Sequence, residues 1–234
     1  PALLLSALVL IYPLLLAIRI SLFRKLLGFP ERFVGLANFV TIFSDPQFIN
    51  SLIVTLWWTV GSVSGQVLLG FALALLLNRS FPGRTLYRTL FMLPWVVPNF
   101  IAALTWVWMF NDRFGIIPAL LHMTGLFSER VLFLANPGLA LPAVIAVNIW
   151  KNYAFVMIVM LAALQAIPQE LYEAAKVDGA SPWQEFLAIT LPLVKPMLFI
   201  VILLRLIWTF NTFELVFIMT EGGPGHATEI LTIT

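Results

Sequence analysis

Four residues near the end of the sequence could act together. Arg205, Trp208, Thr209 and Thr212 stand at i, i+3, i+4 and i+7, one stripe on a helix. Such a set suits a sugar: the aromatic ring covers an apolar sugar face, while the guanidinium and hydroxyls bind its hydroxyl groups. Asn211 lies beside the stripe. Lys151, Asn152 and Tyr153 form a weaker candidate group in another apolar stretch, read as nearer the outer interface. Arg205 falls near the predicted middle of its segment, where a charge is costly and faces a partner or a watery cavity. Glu214 lies nine residues on, predicted on the opposite side of the same helix and about 13 Å along it, so the two should not pair.

A second concentration of polar chemistry is QELYEAAKVDGASPWQE, residues 169 to 185, set between two apolar runs. Pro168 can occupy a first helical turn, where its missing N–H costs nothing. Leu171, Ala174 and Ala175 make a small apolar face, and Glu170 and Glu173 complement the helix dipole. Gly179, after Asp178, suits a left-handed C-terminal cap. Ser181 then reads as a new N-cap, with Pro182 in the first turn and Gln184 closing a capping box. The second helix is predicted to run through WQEFLAI and stop before Pro192. Punctuation alone leaves open whether this stiff helix–turn–helix acts on a partner or merely joins two neighbours.

The elements that must hold these residues are membrane helices. Of 234 residues 61% are hydrophobic and only 10% charged, far from a soluble domain, so the bilayer must act as solvent. Backbone polar groups find no water in lipid, which favours helices, and the short alternating strands of a barrel are absent. Five spans are predicted, near 1–22, 52–77, 89–111, 140–164 and 195–219. Gly61 and Gly65 form a small-xxx-small pair for close helix packing. Pro94 and Pro98 are expected to kink the third span. The sequence opens already apolar at Pro1 and closes on ATEILTIT, so it is expected to be part of a longer membrane protein, truncated at both ends.

Several function classes are excluded. The net charge of +2 is too small for nucleic acid, and the lack of Cys removes disulfides, thiolate nucleophiles and Cys-based metal sites. His122 and His226 fall in predicted loops and read as surface residues rather than metal ligands. No G-x-x-x-x-G-K-[ST] loop, H-E-x-x-H, G-x-S-x-G or paired catalytic carboxylates occur, so no catalytic residue is assigned. An ion-coupled secondary transporter would want intramembrane acids, and only Glu214 is available.

Glu173-Ala174-Ala175, three residues, Gly179, nine residues, then Ile189-Thr190-Leu191-Pro192 matches E-A-A-x3-G-x9-I-x-L-P at every specified position. The chain thereby resembles the inner-membrane permease subunits of binding-protein-dependent ABC importers. ERFVGLANFVTIFSDPQF, LFMLPWVVPNFIAALTWVWMFNDRFGIIPALL, NIWKNYAFVMIVMLAALQAIPQELYEAAKVDGAS and LRLIWTFNTFELVFIMTEGGPGHAT extend the resemblance over essentially the whole chain. They are similar to the sugar-importing branch, nearest the maltose and glycerol-3-phosphate type.

The resemblance implies an all-α polytopic protein with the type I ABC importer transmembrane fold, one domain over 1–234, in a bacterial or archaeal cytoplasmic membrane. It implies a sugar or oligosaccharide as cargo, with a sugar-phosphate such as glycerol-3-phosphate as the alternative. Residues 165–194 would be the cytoplasmic coupling segment, with Glu173, Ala174, Ala175, Asp178 and Gly179 against an ATPase. That settles an orientation on which the basic residues Arg79, Arg84 and Arg88, opposed by Arg24, Lys25 and Arg32, leave a near tie. The implied partners are a second permease subunit, two ATPase subunits that carry ATP and Mg2+, and an extracytoplasmic solute-binding protein. The stripe at Arg205 would line the path, unless Arg205 instead pairs with an acid on the second permease. The resemblance also implies a further helix after the GGPG turn, beyond the residues given, with the turn itself on the outer side.

Overall fold

Helices account for nearly every regular element of the computed structural model, which describes residues 2–25, 31–125 and 129–234. They fall into two compact units, residues 1–50 and 51–234. In the first, α1 (Ala2–Ser21) leads into a short antiparallel hairpin, β1 (Phe23–Arg24) with β2 (Arg32–Phe33), followed by α2 (Ala37–Phe43). The Asn38 amide donates to the carbonyls of Ser21 (2.8 Å), at the end of α1, and Phe23 (3.1 Å), in β1.

The second unit is built from α3 (Pro46–Asn78) from Ser51 onward, α4 (Arg84–Val96), α5 (Asn99–Met109), α6 (Ile116–Met123), α7 (Pro137–Gln165), α8 (Gln169–Val177), α9 (Pro182–Glu185), a π-turn (Phe186–Thr190), α10 (Leu191–Phe210) and α11 (Glu214–Thr220). Among the described residues three helices are long and apolar enough to cross a membrane, Pro46–Asn78, Pro137–Gln165 and Pro182–Phe210. The bent pair α4–α5 raises this to four, and Leu5–Ser21 is a shorter apolar helix. The polytopic all-α architecture matches expectation, but the third and fifth predicted spans differ in detail.

The third span is broken rather than kinked. Pro94 sits inside α4, while Val97 is extended (φ −62°, ψ 129°) and Pro98 caps α5, so the two halves meet at 92°. A proline ring forces the preceding residue out of the helical region, and at Pro98 the chain yields completely. The fifth span differs at both ends. It does not start after Pro192: α9 passes through the π-turn directly into α10, with Pro192 in the first turn of α10. The wider turn accommodates a residue that donates no backbone hydrogen bond. At the other end the helix stops at Phe210 and α11 begins at Glu214, so Glu214 does not share a helix with Arg205. His122 lies in α6, not a loop.

α3 buries a polar stripe beside its apolar contacts, unlike a soluble helix. Ser51, Thr55, Thr59, Ser62 and Gln66 are buried, whereas Leu56, Trp57, Val60 and Leu68 are exposed. Lipid solvates those apolar side chains, so the polar stripe turns inward. The expected close approach of α3 occurs against α7. A Cβ on Gly61 would lie 3.2 Å from Ile145 Cδ1, and one on Gly70 would meet the Tyr153 carbonyl at 2.6 Å.

Two apolar clusters stabilise this unit. One gathers Val54, Trp58, Val144, Val147, Val216 and Ile230; the other gathers Leu77, Met157, Met160, Leu164, Val194 and Val201. The chain after the EGGPG turn closes the first cluster by burying Ile230, and Leu231 N–H donates to Thr55 Oγ1 at 2.9 Å.

Candidate functional site

Along the sequences of α3, α7 and α10, a polar tier falls between the two apolar clusters. Gln66 marks it on α3, Asn148, Lys151 and Asn152 on α7, and Arg205 on α10. Arg205 Nε donates to Gln66 Oε1 at 2.7 Å, and Gln66 Nε2 donates in turn to the Asn148 carbonyl at 3.3 Å. Asn152 Nδ2 donates to Asn148 Oδ1 at 2.7 Å. A neutral amide satisfies one guanidinium N–H without cancelling its charge, and among the described residues no carboxylate pairs with the buried Arg205. Its guanidinium carbon also lies 5.6 Å from the centre of the Trp208 ring, a cation–π contact.

A cavity of about 210 Å³ opens on this tier, lined by Asn99, Asn148, Lys151, Asn152, Arg205, Trp208, Thr212 and Leu215. The broken span shapes one wall. Because α4 stops at Val96, the Trp95 carbonyl is at a helix end, and Lys151 Nζ donates to it at 2.8 Å. An ammonium at a helix C-terminus both completes the hydrogen bonding and opposes the negative end of the dipole. Asn99, the first residue of α5, lines the cavity from the other side of the break. No Asp or Glu is among the lining residues. The tier therefore offers charged and amide hydrogen-bond donors beside an aromatic face, which can hold a polyhydroxylated or anionic solute.

Of the stripe read from the sequence, Arg205, Trp208 and Thr212 line the cavity. Thr209 is fully buried, its carbonyl accepting from Trp58 Nε1 at 3.1 Å. Asn211 is exposed at the end of α10 and donates to the Ile207 carbonyl at 2.7 Å. Tyr153 is buried without lining the cavity, its backbone lying where α7 passes Gly70. Lys151 and Asn152 belong to the same cavity as Arg205, with Lys151 at the midpoint of α7 rather than near an end. Gln66 and Asn148 were not singled out by spacing. The one available signal was an amide in an uncharged apolar run, which lipid penalises unless it is partnered.

The turn and the second cap of the polar insert have the structure their punctuation predicts, whereas Pro168 is the N-cap of α8 rather than a first-turn residue and the second helix runs on past Pro192. Gly179 is left-handed (φ 77°) after α8, and Ala180 N–H reaches the Ala175 carbonyl at 2.9 Å. Ser181 and Gln184 form a capping box in which the Ser181 amide donates to Gln184 Oε1 at 2.7 Å. Glu173, Ala174, Asp178 and Gly179 are exposed and Ala175 is half-buried. Val177 and Trp183 are also exposed, at 88% and 66%, giving the insert an apolar patch that spacing did not identify. Arg79, at the end of α3, shares a groove of about 440 Å³ with Tyr172, Lys176, Glu185 and Thr190, so the basic loop and the insert lie at the same end of the bundle.

Residues 66–232 match the family described as binding-protein-dependent transport system inner membrane component. The chain is 39% identical over 224 residues to the trehalose/maltose transport system permease protein MalF of Thermococcus litoralis, covering 95% of this chain and 75% of that protein. It is 35% identical over 235 residues to the sulfoquinovosyl glycerol transport system permease protein SmoG of Agrobacterium fabrum, covering 100% and 76%. Among solved structures, a bacterial ABC transporter involved in import of the acidic polysaccharide alginate superposes with a TM-score of 0.83 at 28% identity, covering 99% of this chain and 79% of the matched chain. A bacterial alginate ABC transporter in complex with an alginate pentasaccharide-bound periplasmic protein gives 0.82 at 28% identity, covering 97% and 76%. With its helices, broken span and family match together, this chain belongs to the inner membrane components of binding-protein-dependent transport systems.

Proposed function

We propose that this chain is a permease subunit of an ATP-driven importer whose cargo is a sugar or oligosaccharide. The observation that carries the reading is the polar cavity between two apolar clusters, where Arg205, Lys151 and Trp208 meet across α7 and α10. A charged tier in the middle of membrane helices is costly unless something passes there or binds there. Relatives named for trehalose, maltose and sulfoquinovosyl glycerol transport support a carbohydrate.

In this reading the path is formed with a second permease subunit, and a solute-binding protein delivers the cargo from outside. The protein lies in the cytoplasmic membrane with residues 165–194 on the inner side. There Glu173, Ala174, Ala175, Asp178 and Gly179, together with the exposed Val177 and Trp183, dock on an ATPase subunit that supplies ATP and Mg2+ chemistry. Small residues allow close approach, and Glu173 adds a charge-assisted contact. Uptake by the complex, reconstituted in vesicles with its binding protein, tests the assignment on a panel of labelled neutral disaccharides, uronate oligosaccharides, sulfonated sugars and glycerol-3-phosphate. ATP-dependent accumulation of a carbohydrate is expected. Accumulation driven by an ion gradient without ATP would overturn it.

A further inference from the structure

Neither α8 nor α9 contains a buried residue, so apolar packing does little to stiffen the insert. The turn between them is open: a Cβ on Gly179 would meet nothing within 4 Å. A segment of this kind would absorb a push instead of passing it on. Among the described residues, a long-range side-chain tie between α8 and the helix that follows is at the π-turn. There the Tyr172 hydroxyl lies 2.9 Å from Thr190 Oγ1, and the Thr190 hydroxyl reaches the Glu185 carbonyl at 3.5 Å. If Thr190 donates to Glu185, it is left to accept from Tyr172, so each hydroxyl has a defined role. Thr190 is buried and Tyr172 half-buried, so the bond lies at the floor of the groove rather than on the open surface. The π-turn is further held by the Phe186 ring, 6.2 Å from Phe71 of α3 and 5.5 Å from Trp183.

We propose that Tyr172 and Thr190 are positioning residues for coupling. Their hydroxyl bond straps α8 across the open turn to the π-turn that begins α10, so that movement of the insert is carried into the helix bearing Arg205. From Thr190 to Arg205 is 15 residues of continuous helix, about four turns. A helix transmits axial displacement over that distance, whereas the turn at 178–181 does not. The strap rests on the coupling role given above to residues 165–194.

The test uses the complete reconstituted complex. Tyr172→Phe and Thr190→Val each remove one hydroxyl with little change of shape, and Thr190→Ser keeps the hydroxyl. Uptake of a labelled trehalose and maltose mixture is read together with ATP hydrolysis, with spin labels at the exposed Glu170 and Leu203 reporting the distance between α8 and α10 before and after vanadate trapping. Tyr172→Phe and Thr190→Val are expected to lower the uptake obtained per ATP about fivefold, the factor of one net hydrogen bond. The double variant should fall no further, Thr190→Ser should retain wild-type uptake, and the label distance should change on trapping only where the strap is cut. Assembly with the ATPase, read by co-purification, stays constant throughout. Wild-type uptake and an unchanged label distance in Tyr172→Phe overturn the strap while leaving the importer reading intact. Failure of the wild-type complex to bind any ATPase overturns both. If the mixture is not taken up by the wild type, the label distances alone decide.

Discussion

Gln66 and Arg205, 139 positions apart in the sequence, meet side chain to side chain at 2.7 Å in the buried interior. The amide fixes the guanidinium plane beside Trp208 while leaving its charge for the cavity. Gln66→Leu removes that partner and leaves an unsatisfied cation between α3 and α10. A loss of about 3 kcal/mol in stability is expected, the scale for a charged group stripped of its hydrogen bond. The double variant Gln66→Leu with Arg205→Met should recover most of that loss yet not recover uptake. Denaturation in detergent and vesicle transport separate the two effects, and equal uptake by the wild type and Arg205→Met would remove Arg205 from the path.

Lys151 invites a different expectation, because its ammonium completes the end of α4 as well as lining the cavity. Lys151→Met should expose the Trp95 carbonyl and loosen the α4–α5 break, seen as faster amide exchange around residues 95–99. Lys151→Arg, which keeps the charge and donors, should exchange at close to the wild-type rate.

Packing of α3 on α7 makes a graded prediction. A Cβ on Gly65 would collide with Ile149 Cδ1 at 2.2 Å, the far end of a flexible side chain, whereas on Gly70 it meets backbone at 2.6 Å. Gly70→Ala should therefore cost about 3 kcal/mol and Gly65→Ala about 1 kcal/mol, the upper and lower range of overpacking. Comparable thermal shifts for the two variants would contradict the backbone contact.

The insert supplies the functional test of coupling. Gly179→Pro is incompatible with the left-handed backbone at that residue, and Glu173→Lys reverses an exposed charge. Both should abolish uptake and the stimulation of ATP hydrolysis while leaving membrane insertion unchanged. Trp183→Ala and Val177→Asp, on the exposed apolar patch, should weaken co-purification with the ATPase about tenfold, as expected when a central apolar contact is lost. Normal transport in the first pair would refute the coupling role.

Local chemistry was legible in the sequence wherever a residue's partner lies within a few positions. The left-handed Gly179 and the Ser181–Gln184 box are of that kind. What depended on distant partners was not. Nothing in the run around Gln66 indicates that its amide faces a guanidinium, because the pairing arises only when α3 and α10 pack. Pro94 and Pro98 look alike in sequence, yet one is accommodated inside α4 and the other ends it. Pro192 reads as a stop, and only the π-turn before it lets the helix continue. The stripe at Arg205 was found by helical spacing, which cannot say that Thr209 is buried with its backbone carbonyl on Trp58 while Thr212 lines the cavity.

The π-turn at Phe186–Thr190 also sets the rotational phase between two distant surfaces. It contains one residue more than an ordinary helical turn, and each residue of an α-helix corresponds to about 100° around its axis. Deleting a single residue there could restore regular geometry while swinging Trp183 and the rest of α9 by about that angle relative to Arg205. Chain length in this short stretch is thus constrained more tightly than its side chains are, and descendants of this sequence should tolerate substitutions at Leu187 or Ala188 far better than an insertion or a gap beside them.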